Sequence, residues 1–141
     1  MPSAMPADIL ARRRELMLSG DADGFADLCA PDAVMEFAFH GPPGTPVRVA
    51  GREAIREYSR RVMASPLRLE EYEVTELYRA QDPEVVVVEM RARATFATTS
   101  QSFTAMSIQV LRIRDSQIVL LRDFADPRGF EELSAVMGVE S

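Results

Sequence analysis

The stretch GDADGFADLCAPDAVMEF, residues 20–37, decides the fold, because it joins a capped helix to the first strand of a sheet. Asp21 stands where an aspartate accepts hydrogen bonds from the free N–H groups of a following helix, so a helix is predicted over residues 22–28. Pro31 ends that helix. The apolar residues that come next predict a β-strand over residues 34–39.

Hydrophobic spacing extends this pattern along the chain, with helical spacing before Pro66 and strand-like runs after it. The predicted helices cover residues 7–18, 22–28, 52–63 and 129–137, and the predicted strands cover residues 34–39, 67–79, 85–98, 102–114 and 117–125. Residues 40–46, rich in Pro and Gly, predict a loop. Helices followed by antiparallel strands define the α+β class, and the length of 141 suits one domain over residues 1–141.

The composition excludes several classes of function. A formal net charge of −6 repels phosphate backbones, so nucleic-acid binding is not expected. The sequence contains no apolar run long enough to span a membrane and no recognisable signal peptide, so we expect a cytoplasmic protein without a membrane partner. Arginine numbers 16 while lysine and asparagine are absent, which indicates a GC-rich, bacterial genome.

The chain has one cysteine, Cys29, and one histidine, His40. A single cysteine forms no internal disulfide, and the two residues lack the spacing of a zinc site. We therefore expect no metal and no cofactor. Cys29 is predicted to be a buried structural thiol. His40 is predicted to be an exposed loop residue rather than a general base at the mouth of a pocket.

The predicted strand at residues 85–98 separates its side chains by face. One face carries an apolar set: Val86, Val88, Met90, Ala92, Ala94 and Phe96. Glu89, Arg91 and Arg93 fall on the opposite face, which we assign to the convex side of the sheet, as ion pairs or a dimer contact. A sheet with one apolar face under helices can curl into a cone, and the interior of a cone suits a small-molecule pocket.

Three motifs resemble those of the nuclear-transport-factor-2-like superfamily: the opening stretch, GREAIREY at residues 51–58 and RDFADP at residues 122–127. More narrowly, residues 14–129 resemble ketosteroid isomerase and the SnoaL-like polyketide cyclases. The resemblance implies a cone in which a curved antiparallel sheet wraps around N-terminal helices and encloses a pocket. It also implies a homodimer formed through the convex face of the sheet.

The catalytic positions of these relatives, matched one by one, divide into replaced and retained residues. The resemblance places Arg13, Phe37 and Gln109 where the isomerase has its oxyanion-binding tyrosine, its base and its neutral aspartic acid. Ketosteroid isomerase activity is therefore not expected. Asp123 matches the aspartate that SnoaL-like cyclases and limonene epoxide hydrolase use as acid or base. The resemblance implies that Gln109 or Ser107 lies near this acid, and we take Asp123 and Gln109 as the candidate catalytic residues.

The turn between the last two strands leaves two registers open. A two-residue loop at residues 115–116 would place Ile108 opposite Asp123, whereas a three-residue loop would place Ser107 there, with Gln109 diagonal. A shift of one residue reverses the face of every side chain. The resemblance favours the second register, which would gather one set on the concave side: Ser107, Gln109, Leu111, Leu121 and Asp123.

The candidate substrate-binding residues come from the strands and the third helix: Phe37, Phe39, Tyr58, Met90, Ser107 and Leu121. Phe37 and Phe39 are predicted to point inward and to make one wall of the pocket apolar. Tyr58 is either plain core or directs its hydroxyl into the pocket. The arginine run at residues 11–15 is predicted to be a solvated helix face, and Glu36 is predicted to face outward.

Two functions of different classes remain open. The first is a SnoaL-like enzyme that performs cofactor-independent acid/base chemistry, an isomerisation, cyclisation or hydration, on an apolar substrate, with Asp123 moving the proton. The second is a non-catalytic protein that binds a small apolar ligand in the same pocket. Asp123 favours the enzyme, whereas the replaced positions Arg13, Phe37 and Gln109 favour the binding protein.

Overall fold

The computed structural model describes residues 5–126 and residue 128, and this part of the chain forms three helices and six strands. The helices are α1 (Pro6–Ser19), α2 (Ala22–Leu28) and α3 (Arg52–Met63), and the strands are β1 (Cys29–Phe37), β2 (Val47–Ala50), β3 (Leu67–Arg79), β4 (Val85–Phe96), β5 (Ser102–Arg114) and β6 (Gln117–Ala125). The predicted helix at residues 129–137 lies outside the described residues. In the described part, no helix combines the length and the apolar character that crossing a membrane requires.

The strands form one curved sheet in the order β2-β1-β6-β5-β4-β3. Neighbouring strands are antiparallel except for β1 and β6, which run parallel. The helices cover one face of this sheet and share a single buried cluster with it. The α+β class and the cone-like fold are confirmed. The parallel pair was not anticipated, because it joins the first and last strands of the chain and only the tertiary fold brings them together.

Two residues of the opening stretch build the turn from α1 to α2. Gly20 ends α1 with φ 70°, in the left-handed region that favours glycine. Asp21 accepts a hydrogen bond from the backbone N–H of Gly24 at 2.8 Å, which confirms the predicted cap. A Cβ added at Gly24 would lie 2.5 Å from a methyl carbon of Leu16, so α2 packs closely against the end of α1 at this residue.

The structure corrects the boundaries of the first strand. β1 begins at Cys29 instead of residue 34 and ends at Phe37 instead of residue 39. Its pairing with β6 shifts register between Cys29 and Val34, and Pro31 lies within this irregular part, where a strand tolerates a residue without an N–H. The four residues of β2 were not predicted as a strand; they pair with β1 at the edge of the sheet, so pairing rather than local sequence defines them.

β4 divides its side chains by face as the alternation predicts. The buried residues of this strand are Val86, Val88, Met90, Ala94 and Phe96. On the other face, Arg91 is exposed and its guanidinium binds the carboxylate of Glu71 at 3.0 Å. β4 therefore places its apolar face against the helices and its charged face on the outside.

Cys29 is buried where β1 begins. Burial raises the pKa of its thiol to about 11, so the thiol stays protonated at neutral pH and is a poor nucleophile. The backbone carbonyl of Cys29 accepts two hydrogen bonds from the Arg52 guanidinium, at 2.9 and 2.8 Å. Cys29 is a buried structural residue, as predicted, and its carbonyl ties β1 to α3.

Candidate functional site

The register of β5 and β6 decides which side chains face Asp123. The connection is a two-residue turn at residues 115–116, and both residues have positive φ, as a type I′ hairpin turn requires. The ladder then shifts, because Arg112 pairs with Leu120 and the next residue of β5 pairs with Ile118. Gln109 consequently lies directly opposite Asp123.

Both predicted registers are therefore wrong, since neither included an extra residue within the strand. Val119 is that residue: its two neighbours in β6 pair with consecutive residues of β5, so it forms a β-bulge. With a two-residue turn and no bulge, the side chain of Asp123 would point to the outer face of the sheet. The bulge turns it back to the inner face. Leu111 and Leu121 accordingly pair with each other and are buried on the same face as Gln109.

Asp123 directs its carboxylate into the interior at the end of β6. Its Oδ2 accepts a hydrogen bond from Gln109 Nε2 at 3.3 Å, while its Oδ1 is buried without a hydrogen-bond partner among the described residues. Burial raises the pKa of Asp123 above its ordinary range, against the hydrogen bond from Gln109 and the positive charge of Arg13, which lower it. Gln109 thus holds Oδ2 by a hydrogen bond, whereas Oδ1 is available to accept one from another molecule.

The arginines near Asp123 in sequence bind other carboxylates. Arg122 binds Glu36 at 3.3 Å, and Arg128 binds Asp126 at 2.7 Å. Both pairs lie outside the concave face, since Arg122 and Arg128 are exposed. Asp123 is therefore directed into the interior in this structure and is not the partner of an adjacent arginine.

Arg13 is buried, which corrects the prediction of a solvated face for the arginine run. Its side chain is 1% exposed, and its Nη1 donates to Gln109 Oε1 at 2.8 Å. Its guanidinium carbon lies 5.1 Å from the centre of the Tyr72 ring, and Nη2 lies 3.5 Å from Met90 Sδ. Arg12 and Arg14 are exposed as predicted.

The helical spacing contained a signal for the burial of Arg13. Ile9 precedes it by four residues and Leu16 follows it by three, and all three residues are buried. Residues at this spacing share one face of a helix. A guanidinium on the apolar face of α1 was therefore readable from the sequence, but its partner Gln109, which lies 96 residues further along the chain, was not.

Three rings pack together near Asp123, and Phe37 lies at their centre. Phe37 pairs with Asp123 in the parallel register of β1 and β6. The Phe37 ring stacks on His40 with a centroid distance of 5.5 Å and contacts the Tyr58 ring at 5.6 Å. Burial raises the pKa of the Tyr58 hydroxyl. The negative charge of Asp123 adds to this rise, and the positive charge of Arg61 opposes it. The structure thus brings Phe37 and Tyr58 to the acid.

His40 and Phe39 are placed differently from their predictions. His40 is partly buried against Phe37 instead of exposed, and burial lowers the pKa of its imidazole. Phe39 is 55% exposed and packs edge-on against Phe124 on the outer side, so it does not form the inner wall. The reason is that β1 ends at Phe37, so the alternation of a strand no longer sets the direction of Phe39.

The other candidate residues lie on the concave face at different depths. Met90 and Leu121 are buried, and Ser107, which pairs with Met90 and Ala125, is partly buried. Ser107 is therefore displaced by two residues along β5 from the position opposite Asp123, which Gln109 occupies.

Two cavities flank α1, and Tyr72 lines both. The larger, of 640 Å³, is mostly apolar and is lined by the end of α1, the end of α3 and the start of β3, including Met17, Val62 and Leu69. The smaller, of 220 Å³, lies along α1 and β3 and includes Arg13. Asp123 lines neither cavity, and Tyr58, which lies one helical turn before Val62 on α3, is not part of either lining.

The raised pKa of Asp123 predicts how stability depends on pH. The folded state holds the proton at pH values where the unfolded chain releases it, so stability falls as pH rises from the ordinary value of 3.8 through the raised pKa. Asp123→Asn removes this loss, and we expect it to raise the free energy of unfolding at pH 7 with little effect near pH 3.

Urea unfolding of wild type and Asp123→Asn across this pH range measures the difference. The exposed Asp115→Asn variant serves as control, because asparagine tolerates the positive φ of that position. A stability difference between wild type and Asp123→Asn that is constant from pH 3 to pH 7 would contradict the burial of the acid.

A curved sheet with helices on its concave face, here with an acid held inside it through an amide, is the nuclear-transport-factor-2-like fold. The family model of the SnoaL-like domain matches residues 11–121, and the chain belongs to that family. Within the described residues, no group of three or more His, Cys, Asp or Glu side chains is arranged to hold a metal ion.

Individual relatives agree with this assignment. An uncharacterised PhzA/B-like protein of Pseudomonas aeruginosa is 34% identical over 134 residues, which cover 95% of this chain and 92% of that protein. A Bacillus subtilis structure described as that of a proposed isomerase has a TM-score of 0.79 at 25% identity, covering 95% of this chain and 93% of the other. IdmH of Streptomyces antibioticus, a proposed polyketide cyclase, has a TM-score of 0.65 at 25% identity, covering 96% of this chain and 100% of the other.

Proposed function

We propose that this SnoaL-like protein is an enzyme that moves a proton on a small apolar molecule, with Asp123 as the acid/base and without a cofactor. The observation that carries the proposal is the asymmetry of the Asp123 carboxylate. One oxygen is held by Gln109, while the other is buried and has no hydrogen-bond partner in the described part of the chain. A buried carboxyl oxygen without a partner is costly, and a reacting group is one reason to keep it.

The raised pKa of Asp123 suits proton transfer. A carboxyl group with an ordinary pKa is a weak base, and burial moves this pKa toward the pH at which an enzyme works. Isomerisation, cyclisation and hydration each need only one well-placed group that accepts and returns a proton. The polyketide cyclase and isomerase descriptions of the relatives support this range of chemistry.

Gln109 takes a narrower role than the sequence suggested. Its amide oxygen already accepts from Arg13 and its amide nitrogen already donates to Asp123. We therefore propose that Gln109 holds the acid in place and does not itself bind a carbonyl or hydroxyl group of the substrate.

The apolar surroundings of the acid indicate an apolar substrate. Phe37 and Tyr58 offer ring surfaces beside Asp123, and the 640 Å³ cavity lies one helical turn further along α3, at Val62. This volume falls within the usual range of small-molecule pockets. We propose that the body of the substrate lies in the cavity, with its reacting atom directed past Tyr58 toward Asp123.

Ligand binding without catalysis is the second candidate, and one observation favours it. The larger cavity is lined mainly by apolar residues of α1, α3 and β3, together with Tyr72, Arg68 and Glu70, and Asp123 is not part of that lining. A molecule confined to this cavity would not reach Asp123. The same protein would then bind and release an apolar ligand unchanged.

The experiment that separates the two is a screen for turnover and binding with the cofactor-free protein. The compounds are apolar epoxides, β,γ-unsaturated ketones and linear polyketone chains, with products followed by mass spectrometry and affinities by calorimetry. Turnover that Asp123→Asn abolishes and Asp115→Asn preserves supports the enzyme. Binding that persists in both variants with no turnover by wild type supports the binding protein.

We also propose a homodimer formed through the convex face of the sheet. An apolar patch on this face, the convex patch, comprises Phe39, Met106, Ile108 and Phe124, which are between 37% and 64% exposed. Phe39 packs against Phe124, and Phe124 pairs with Ile108, so the patch is continuous. A contiguous exposed apolar surface of this kind marks an interaction site.

Replacing Ile108 with arginine is expected to convert the homodimer to a monomer, because it places an unpaired charge at the centre of the convex patch. Light scattering coupled to size-exclusion chromatography measures the mass directly. Gln101→Arg adds the same charge in the exposed loop between β4 and β5 and should leave the dimer intact. A monomeric wild-type protein would overturn the homodimer.

A further inference from the structure

Within the described part of the chain, Arg13 is the one charged residue that is almost completely buried. Its contacts are neutral: the amide oxygen of Gln109, the sulfur of Met90 and the ring of Tyr72. Its Nε is buried without a hydrogen-bond partner among the described residues. Removing a guanidinium from water is expensive unless its surroundings compensate for the loss of hydration. If Arg13 only filled space, an apolar side chain of the same length would pack there without this cost in free energy.

The position of Arg13 dictates the orientation of the Gln109 amide. A guanidinium only donates hydrogen bonds, so the amide oxygen must face Arg13 and the amide nitrogen must face the opposite way. That nitrogen meets Asp123 Oδ2 at 3.3 Å. Without Arg13, the amide is free to turn over and present its oxygen to Asp123, which would then have to carry a proton on the facing oxygen to make a hydrogen bond.

We propose that Arg13 is a positioning residue that acts on Asp123 through Gln109. By fixing the amide, Arg13 makes Oδ2 an acceptor and leaves Oδ1 as the oxygen that takes up and releases the proton. This inference rests on the function proposed above, because it assigns roles to the two oxygens of the same acid. It adds a residue of α1 that touches neither oxygen and yet decides which one reacts.

The residues around Asp123 come from four elements, α1, α3, β5 and β1, and from the loop after β1. Arg13 reaches it electrostatically from α1, and Tyr58 lies close enough on α3 for the two groups to affect each other's titration. β5 contributes the neutral Gln109, and β1 contributes the apolar Phe37. His40, in the loop after β1, stacks on the Phe37 ring. Arg13 is thus the only cation among these neighbours when His40 is neutral.

The test is an NMR titration of the Asp123 carboxyl carbon, assigned by its loss in Asp123→Asn, and it needs no substrate. In Arg13→Met the midpoint should rise by about one pH unit relative to wild type, because a nearby cation and a fixed N–H donor are both lost. In a Gln109→Met background, the same replacement should shift the midpoint by less than half as much. Arg13→Lys, which keeps the charge and a donor, should restore part of the wild-type midpoint.

Two outcomes overturn the inference. One is a midpoint that does not change in Arg13→Met, and the other is a shift of equal size with and without Gln109, which would show that Arg13 acts by charge alone. Arg12→Met, on the exposed face of the same helix, is the matched control and should leave the midpoint unchanged.

A measurement on the wild-type protein covers the case in which Arg13→Met does not fold. The side-chain NH₂ signals of Gln109 should shift with the same midpoint as the Asp123 carboxyl, since the nitrogen faces Oδ2. If the Gln109 NH₂ signals do not change as Asp123 titrates, the amide nitrogen does not face Oδ2 and the inference is wrong. The titration also separates this inference from the enzyme assignment: loss of turnover tests the function, whereas the midpoint reports on Arg13 even if the protein only binds its ligand.

Discussion

Replacing Asp123 with asparagine is expected to lower kcat for the substrate by about 10²- to 10⁴-fold, the range that a single general acid or base contributes. Asparagine has nearly the same shape and can still accept the Gln109 hydrogen bond through its own oxygen, so the pocket should keep its form. Only the ability to exchange a proton is removed. The dissociation constant of the substrate should therefore change by less than about threefold, since the apolar contacts that hold it remain.

The pH dependence of wild-type kcat provides the second part of this test. We expect an inflection above the ordinary range of an aspartate, in keeping with the raised pKa of Asp123. If the group acts as a base, kcat falls on the acidic side of this inflection, and if it acts as an acid, kcat falls on the alkaline side. A kcat that is equal in wild type and Asp123→Asn, or an inflection that persists in the variant, would exclude Asp123 as the proton carrier.

Replacing Ile55 with alanine is expected to lower the free energy of unfolding by about 2–5 kcal/mol, the usual cost of truncating a buried isoleucine. Ile55 is 0% exposed and belongs to the core cluster that α3 shares with the sheet. Alanine has the higher helix propensity, which offsets a small part of this loss. The lost burial of the side chain and the cavity left between α3 and the sheet together account for nearly all of the effect.

Urea unfolding at neutral pH measures the change, and Glu57→Ala serves as the matched control. Glu57 lies on the exposed face of the same helix, so its truncation should change the free energy of unfolding by less than about 0.5 kcal/mol. Equal stabilities of the two variants would mean that Ile55 is not part of the core.

Local patterns were enough to place most of the elements. The helix at Ala22–Leu28, the helix at Arg52–Met63 and the strands Leu67–Arg79, Ser102–Arg114 and Gln117–Ala125 have the predicted bounds. Each follows from signals that act within a few residues: a capping aspartate, a glycine or proline at an end, and apolar residues at the spacing of a helix or a strand. Strand β2 and the start of β1 were missed because hydrogen bonds to other strands define them.

The sequence named residues of the candidate site but did not predict how they are arranged. The resemblance pointed to Asp123 and Gln109, but the predicted registers missed the bulge at Val119 that puts them opposite each other. A bulge has no clear signature in the local sequence. Its position depends on how the two whole strands pair. Phe39 shows the complementary error, since its outward position depends on where β1 ends.

The sequence by itself determined the order of the described elements other than β2, the α+β class and the presence of one acid in an apolar strand, because propensity and periodicity are properties of neighbouring residues. Only the tertiary structure decided that Arg13, Gln109 and Asp123 form one hydrogen-bonded chain across α1, β5 and β6. The physical reason is that the free-energy cost of burying a guanidinium or a carboxylate depends on which groups surround it and form hydrogen bonds with it. Those groups come from distant parts of the chain, and folding brings them together.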